Sequence, residues 1–274
     1  MRLSVLSSGS SGNATYIEGA SGGVLVDAGL QAKRLGKLLA SIGRSLSDVG
    51  AVFVTHDHSD HTCGVRSLLR EVPVPVYGAP GVGERLRSSG AMVVEAGVPL
   101  YLGDLRATFF PVPHDAPTYG IEIVEADRSV VVATDLGEVD DETLGIMRGA
   151  EALVLEANHE LEWLRRGPYP ADLKRRVASR RGHLSNGQAA EVAIRLAPHG
   201  LREVVLAHLS KTNNSPARAT NSVSRALREA GWGAVRVRAA LASHPTPWIE
   251  VGEPVEPKDY VYRYDTSHNL FGME

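Results

Sequence analysis

The chain has 274 residues, room for one large domain or two small ones, and 43% are apolar, enough for a substantial core. Net charge is −3 and the pI about 6.4, which argues against a broadly basic surface that coats DNA but leaves room for a local phosphate-binding groove. The one cysteine, Cys63, excludes an internal disulfide and suits a reducing compartment. With no charged-then-apolar leader and no apolar run near ~20 residues, a cytoplasmic protein without a membrane span is expected.

Leu3–Ser7, Ala14–Glu18 and Gly23–Asp27 read as three strands in an antiparallel start. Between the first two lies Ser7-Ser8-Gly9-Ser10-Ser11-Gly12-Asn13, either a phosphate-binding loop offering backbone N–H groups or simply a turn. Asp27, at a strand end, is either an acceptor that orients a ligating histidine or a turn aspartate. Apolar residues at Leu35, Leu38, Leu39 and Ile42 mark a helix over 30–42, ended by Gly43.

The apolar strand Ala51-Val52-Phe53-Val54 then runs into Thr55-His56-Asp57-His58-Ser59-Asp60-His61. In extended chain His56 and His58 project to one side. Asp60 and His61 follow a turn and face the same point from another direction. One first-row ion rarely takes four donors from so short a segment, so a pair of metals is the simpler inference. Asp57 and Ser59 alternate with these donors and are expected to point away. Cys63 is expected to pack as a small apolar residue at the start of a helix over 62–69.

Further on, Val74–Tyr77 is a short strand and Pro80–Ser88 a helix with proline in its first turn. Strands at 93–94, 99–102 and 105–112 lead to His114, placed by flanking prolines as a third nitrogen ligand. A hairpin of 119–125 and 128–134 ends at Asp135, whose carboxylate oxygens can bridge two cations. Helix 140–147, strand 152–157, a basic helix over 169–180, a helix capped by Ser185 or Asn186 through Leu196, strand 203–207 ending at His208, helix 215–230 and strand 234–239 complete an α/β pattern. The basic run holding Arg175 is either a solvated helix face or a phosphate-gripping rim. Residues 1–243 are expected to form the domain, and the proline-rich 244–274 an extended tail packing through Tyr260, Tyr262 and Tyr264.

His56, His114, Asp135 and His208 each end a strand. With the H-x-H-x-D-H string, this order resembles the metallo-β-lactamase superfamily across residues 1–240. The resemblance implies a four-layer αββα sandwich with a dinuclear site at one rim. It implies His56, His58 and His114 on the first metal, Asp60, His61 and His208 on the second, and Asp135 bridging. Gly182-His183-Leu184-Ser185-Asn186 is similar to a pattern in RNase Z. Ser8–Asn13, Leu155–His159, Gly167–Pro170 and His208-Leu209-Ser210-Lys211-Thr212-Asn213-Asn214 resemble the YycJ/WalJ-like branch more closely. That branch implies a DNA exonuclease acting on duplex ends, with DNA favoured over RNA. The long arm that clamps tRNA and the long insert of β-CASP nucleases are both missing. β-Lactam hydrolysis ranks low without an export signal.

The chemistry expected is hydrolysis, because a metal lowers the pKa of a coordinated water from about 15.7 to near 7. Asp60 would ligate and orient the nucleophile, and His183 would serve as proton donor, with His159 as a second candidate. Ser10, Asn13, His159, Arg175 and Asn213 are the expected substrate contacts. The cofactor would be two divalent ions, Zn²⁺ or Mn²⁺, with iron also compatible. The alternatives are a small-substrate metallohydrolase acting on a cyclic phosphodiester, thioester or lactone, and a non-enzymatic metal-binding protein.

Overall fold

A computed structural model describes residues 1–252. Fourteen strands are found among them: β1 Arg2–Ser7, β2 Ala14–Gly19, β3 Gly22–Val26, β4 Val49–Val54, β5 Val76–Gly78, β6 Met92–Val93, β7 Leu100–Leu102, β8 Leu105–Val112, β9 Thr118–Glu125, β10 Arg128–Ala133, β11 Ala152–Glu156, β12 Glu203–Ala207, β13 Arg236–Ala239 and β14 Ile249–Glu250. The α-helices are α1 Ala32–Ser41, α2 Ser59–Thr62, α3 Val65–Glu71, α4 Pro80–Arg85, α5 Asp141–Met147, α6 Leu161–Arg166, α7 Ala171–Val177, α8 Asn186–Leu196 and α9 Pro216–Glu229. One sheet runs β14-β1-β2-β3-β4-β5-β6, the other β13-β12-β11-β10-β9-β8-β7.

Strand alternation produces the layers. Side chains at i and i+2 share a face, so each central strand feeds two cores. On β4, Ala51 and Phe53 enter the core between the sheets, while Val52 and Val54 face α1, α3 and α4. On β10, Val130 and Val132 enter the same central core, while Val131 and Ala133 pack toward α5, α8 and α9. β11 and β12 repeat the split, with Val154 and Val205 inward and Leu153 and Val204 outward. Three stacked cores separate four layers, the expected αββα sandwich. Phe53 and Phe109 meet edge to face across the central one, ring centroids 5.4 Å apart.

Chain direction decides where chemistry collects. β3 and β4 are parallel neighbours in the first sheet, as are β10, β11 and β12 in the second. Their carboxyl ends share one rim, where ligands gather in α/β sheets. Asp27, Asp135 and His208, each just past such an end, hold left-handed backbones with φ of 62°, 59° and 53°. Non-glycine residues adopt this region at a cost, and such strain concentrates at functional sites.

Three expectations need correction. Cys63 is exposed rather than packed, because it caps the end of the single-turn α2 and gives its Sγ to the Gly29 carbonyl. The basic helix expected over 169–180 is shorter, Ala171–Val177, and a separate helix, α6, precedes it across Gly167 to Pro170. The helix expected over 62–69 is broken at Cys63 and Gly64 between α2 and α3. Past residue 243 the chain keeps packing on the body: β14 pairs with β1, Thr246 hydrogen-bonds both Ser4 and Val5, and Trp248 Nε1 donates to the Ile42 carbonyl. Tyr260, Tyr262 and Tyr264 lie outside the described residues.

Candidate metal centre

All seven expected donors converge at the rim. Ring nitrogens of His56, His58 and His114 lie within 4.8 Å of one another, as do donor atoms of Asp60, His61 and His208. Asp135 joins both neighbourhoods: it groups with His56 and His61, and also with His183, His208 and Glu156. The first sheet supplies His56, His58, Asp60 and His61 from the loop and single helical turn after β4. The second supplies His114, Asp135 and His208 from the ends of β8, β10 and β12.

Hydrogen bonds on the far side of each ring fix its direction. Asp27 Oδ2 lies 2.7 Å from His61 Nδ1, and its Oδ1 accepts from the Thr55 backbone N–H at 2.9 Å. The Thr55 hydroxyl lies 3.1 Å from His56 Nδ1. Gly182 O lies 3.2 Å from His114 Nδ1. Glu156 Oε1 lies 2.7 Å from His208 Nδ1. With each Nδ1 engaged, each Nε2 is turned to the centre.

The fold implies divalent metal ions, and these residues fit them. His56 Nε2 is buried without a hydrogen-bond partner, while His114 Nε2, His208 Nε2 and Asp135 Oδ2, buried too, face only Asp115, Asp60 and His61 at 3.1 Å, 3.6 Å and 3.2 Å, in poor hydrogen-bond geometry. A buried polar atom in that condition is costly unless something else satisfies it, and a cation does so for a lone pair. The charge balance agrees. Burial depresses the His56 pKa well below the usual histidine range, helped by the neighbouring His61. Burial acts the same way on His61, but Asp27 and Asp135 outweigh it and push that ring up to about 10. Burial raises Asp60, yet His208 and His61 bring it down to about 2. Anionic carboxylates therefore create a strong demand for positive charge here.

Glu156 is the functional residue that sequence reasoning did not assign. It ends β11 fully buried, with Oε1 2.8 Å from His183 Nδ1 as well as 2.7 Å from His208 Nδ1. Its Oε2 accepts from the backbone N–H groups of Leu136 and Leu184, each at 3.1 Å. A carboxylate closing an apolar strand, as at Asp27, was the available signal. His183 is partly exposed at the centre; burial opposes its charge, but Glu156 wins and raises its pKa.

The expected substrate contacts divide. Ser10 is exposed at the tip of the serine–glycine loop. Asn13 lies beneath that loop, its Nδ2 3.0 Å from His61 Nε2 and 3.3 Å from Asp60 Oδ2, so it braces donors. Ser8 Oγ accepts from the His208 backbone N–H at 2.7 Å. His159 and Asn213 are enclosed, at 1% and 0% exposure. Arg175 is exposed and paired with Asp172; from the same basic run, Arg181 reaches the centre, donating to the His114 carbonyl at 2.9 Å.

A β-lactamase superfamily domain matches residues 23–209. Over 243 residues the chain is 37% identical to exodeoxyribonuclease WalJ of Streptococcus pneumoniae, spanning 85% of this chain and 90% of that protein. It is 35% identical over 255 residues to exodeoxyribonuclease YycJ of Bacillus anthracis, spanning 90% and 95%. Among solved structures, the metallo-β-lactamase fold protein YhfI of Bacillus subtilis superposes with a TM-score of 0.68 at 19% identity, covering 89% of this chain and 98% of that one. The chain belongs to the β-lactamase superfamily, in the family that includes WalJ and YycJ. No helix among the described residues is long and apolar enough to cross a membrane.

Proposed function

We propose that the chain is a metal-dependent DNA exonuclease working with two divalent cations. The observation that carries this reading is the convergence of His56, His58, His114, Asp60, His61 and His208 around the buried Asp135, each offering a donor atom to the same small space. The relatives named exodeoxyribonucleases favour DNA over RNA.

His56, His58 and His114 would hold one cation, Asp60, His61 and His208 the other, with Asp135 shared. All are nitrogen and oxygen donors, a set that suits zinc, manganese or iron. Bound cations supply Lewis acidity and an activated water at neutral pH. The chain's residues do the rest. Asp60, partly exposed at the opening, accepts a hydrogen bond from the attacking water and orients it. His183, held through Nδ1 by Glu156, keeps Nε2 free to give a proton to the leaving oxygen. Arg181 stands at the border of the centre, where a phosphodiester backbone would pass, and Ser10 would meet that backbone from the exposed serine–glycine loop.

Incubating the protein with end-labelled duplex DNA and Mn²⁺ or Zn²⁺ tests this. Stepwise loss of nucleotides by the wild type, abolished in Asp60→Ala, is expected. No cleavage by the wild type, or equal cleavage by the variant, overturns it.

A further inference from the structure

A groove of about 610 Å³ lies between α6 and α9, lined by Glu160, Trp163, Arg218, Asn221, Arg225 and Arg228. Both walls continue the strands that build the metal centre. α6 leaves β11 just beyond Glu156, and α9 follows the loop that begins at His208. The two exits are tied together, since the Glu160 backbone N–H donates to the Asn213 carbonyl at 2.9 Å.

The lining has a definite pattern. Arg218, Asn221, Arg225 and Arg228 stand at i, i+3, i+7 and i+10, one face of a helix rising 1.5 Å per residue. The opposite face buries Ala219, Val223 and Leu227 against the second sheet. The three arginine positions thus span roughly 15 Å along the helix. Trp163 is 39% exposed, an unusual place for the largest side chain, and the Arg218 guanidinium stacks on one face of its ring at 4.3 Å. Among the described residues neither Arg218 nor Arg228 forms an ion pair, and Arg225 has only a long 3.9 Å approach to Glu229. In a chain of net charge −3, this is a local concentration of uncommitted positive charge beside an exposed aromatic ring.

We propose that this groove binds single-stranded nucleic acid, holding a strand that leads away from the metal centre. Arginines along a helix track a sugar–phosphate backbone, and an exposed indole offers a sequence-indifferent surface for a base. The seven residues from Glu156 to Trp163 reach at most about 25 Å when extended, so the groove would engage a strand within about that distance of the metal centre. The inference rests on the nuclease reading and names where that nuclease would grip its substrate.

The test is fluorescence anisotropy with a labelled 12-nucleotide single strand carrying hydrolysis-resistant phosphorothioate linkages, run across a salt series. The proteins are metal-loaded wild type, Trp163→Ala, the double variant Arg225→Glu/Arg228→Glu, and Arg70→Glu as a charge control on α3. Kd is expected to rise about tenfold in Trp163→Ala. In the double variant the slope of log K against log salt should shrink by about 1.4, two phosphate contacts at 0.7 each. Arg70→Glu should bind as wild type. Equal Kd and slope in all four proteins, with the wild type still cutting duplex DNA, overturns the groove and leaves the nuclease reading standing. A wild type that neither cuts nor binds overturns both.

Discussion

One oxygen of Glu156 lies 2.7 Å from His208 Nδ1 and 2.8 Å from His183 Nδ1, so a single carboxylate orients a ligand candidate and the proposed proton donor together. Glu156→Gln should weaken metal affinity by about 10- to 100-fold, because a neutral amide no longer fixes the His208 ring or raises its basicity. Competition titration against a chelating dye measures this. Unchanged affinity would mean that the contact is merely structural.

Gly29 has a steric job. A Cβ there would collide with the carbonyl of Asp60, and the Asp60 carbonyl and the Gly29 backbone are already tied to the Asn13 main chain. Gly29→Ala should therefore displace Asp60 and lower turnover by about a hundredfold, the scale of a 1 Å misplacement. Its thermal midpoint should fall too, since the backbone must shift. Wild-type rates for this variant would show that the loop yields freely.

Asp140 caps α5 by accepting from the Thr143 backbone N–H at 2.8 Å, and that hydrogen bond holds its carboxyl below the usual aspartate range. Asp140→Ala should cost about 1 kcal/mol at neutral pH, and Asp140→Asn much less. The sign with pH follows from the depressed pKa. The ionised group's contribution is present above the unfolded value of about 3.9 and lost as pH falls through the lower folded value. The gap between wild type and alanine variant in urea melts should therefore narrow only in strong acid. A gap that narrows on the alkaline side instead would contradict this.

Phe53 and Phe109 join the two sheets, and both are buried. Truncating either to alanine should destabilise by about 3–5 kcal/mol. A double-mutant cycle should leave a coupling of about 0.5–1.5 kcal/mol beyond additivity. A coupling of zero would mean that the rings share the core without contact energy.

Much of this site was legible because strand ends announce themselves. An apolar run that stops at a histidine or aspartate marks a position fixed by the sheet yet open to the rim, and His56, His114, Asp135 and His208 all read that way. Glu156 escaped because a carboxylate closing Ala-Leu-Val-Leu-Glu gains meaning only from the two rings brought to it by β12 and by the turn before α8. The enclosure of His159 and Asn213 was likewise invisible, since burial there depends on how two distant loops close over each other. α6 is six residues long, too short for a helical period to stand out, and so Trp163 passed without notice.

The convergence of donors from both sheets has a mechanical side. An ion gripped by His61 on one half and His208 on the other, as proposed, would be a rivet through the sandwich, fastening it at one end only. Loading should slow amide exchange along β4 and β12 well before it touches β6 and β7 at the far margins, so the molecule would peel open from the edge that the rivet does not reach.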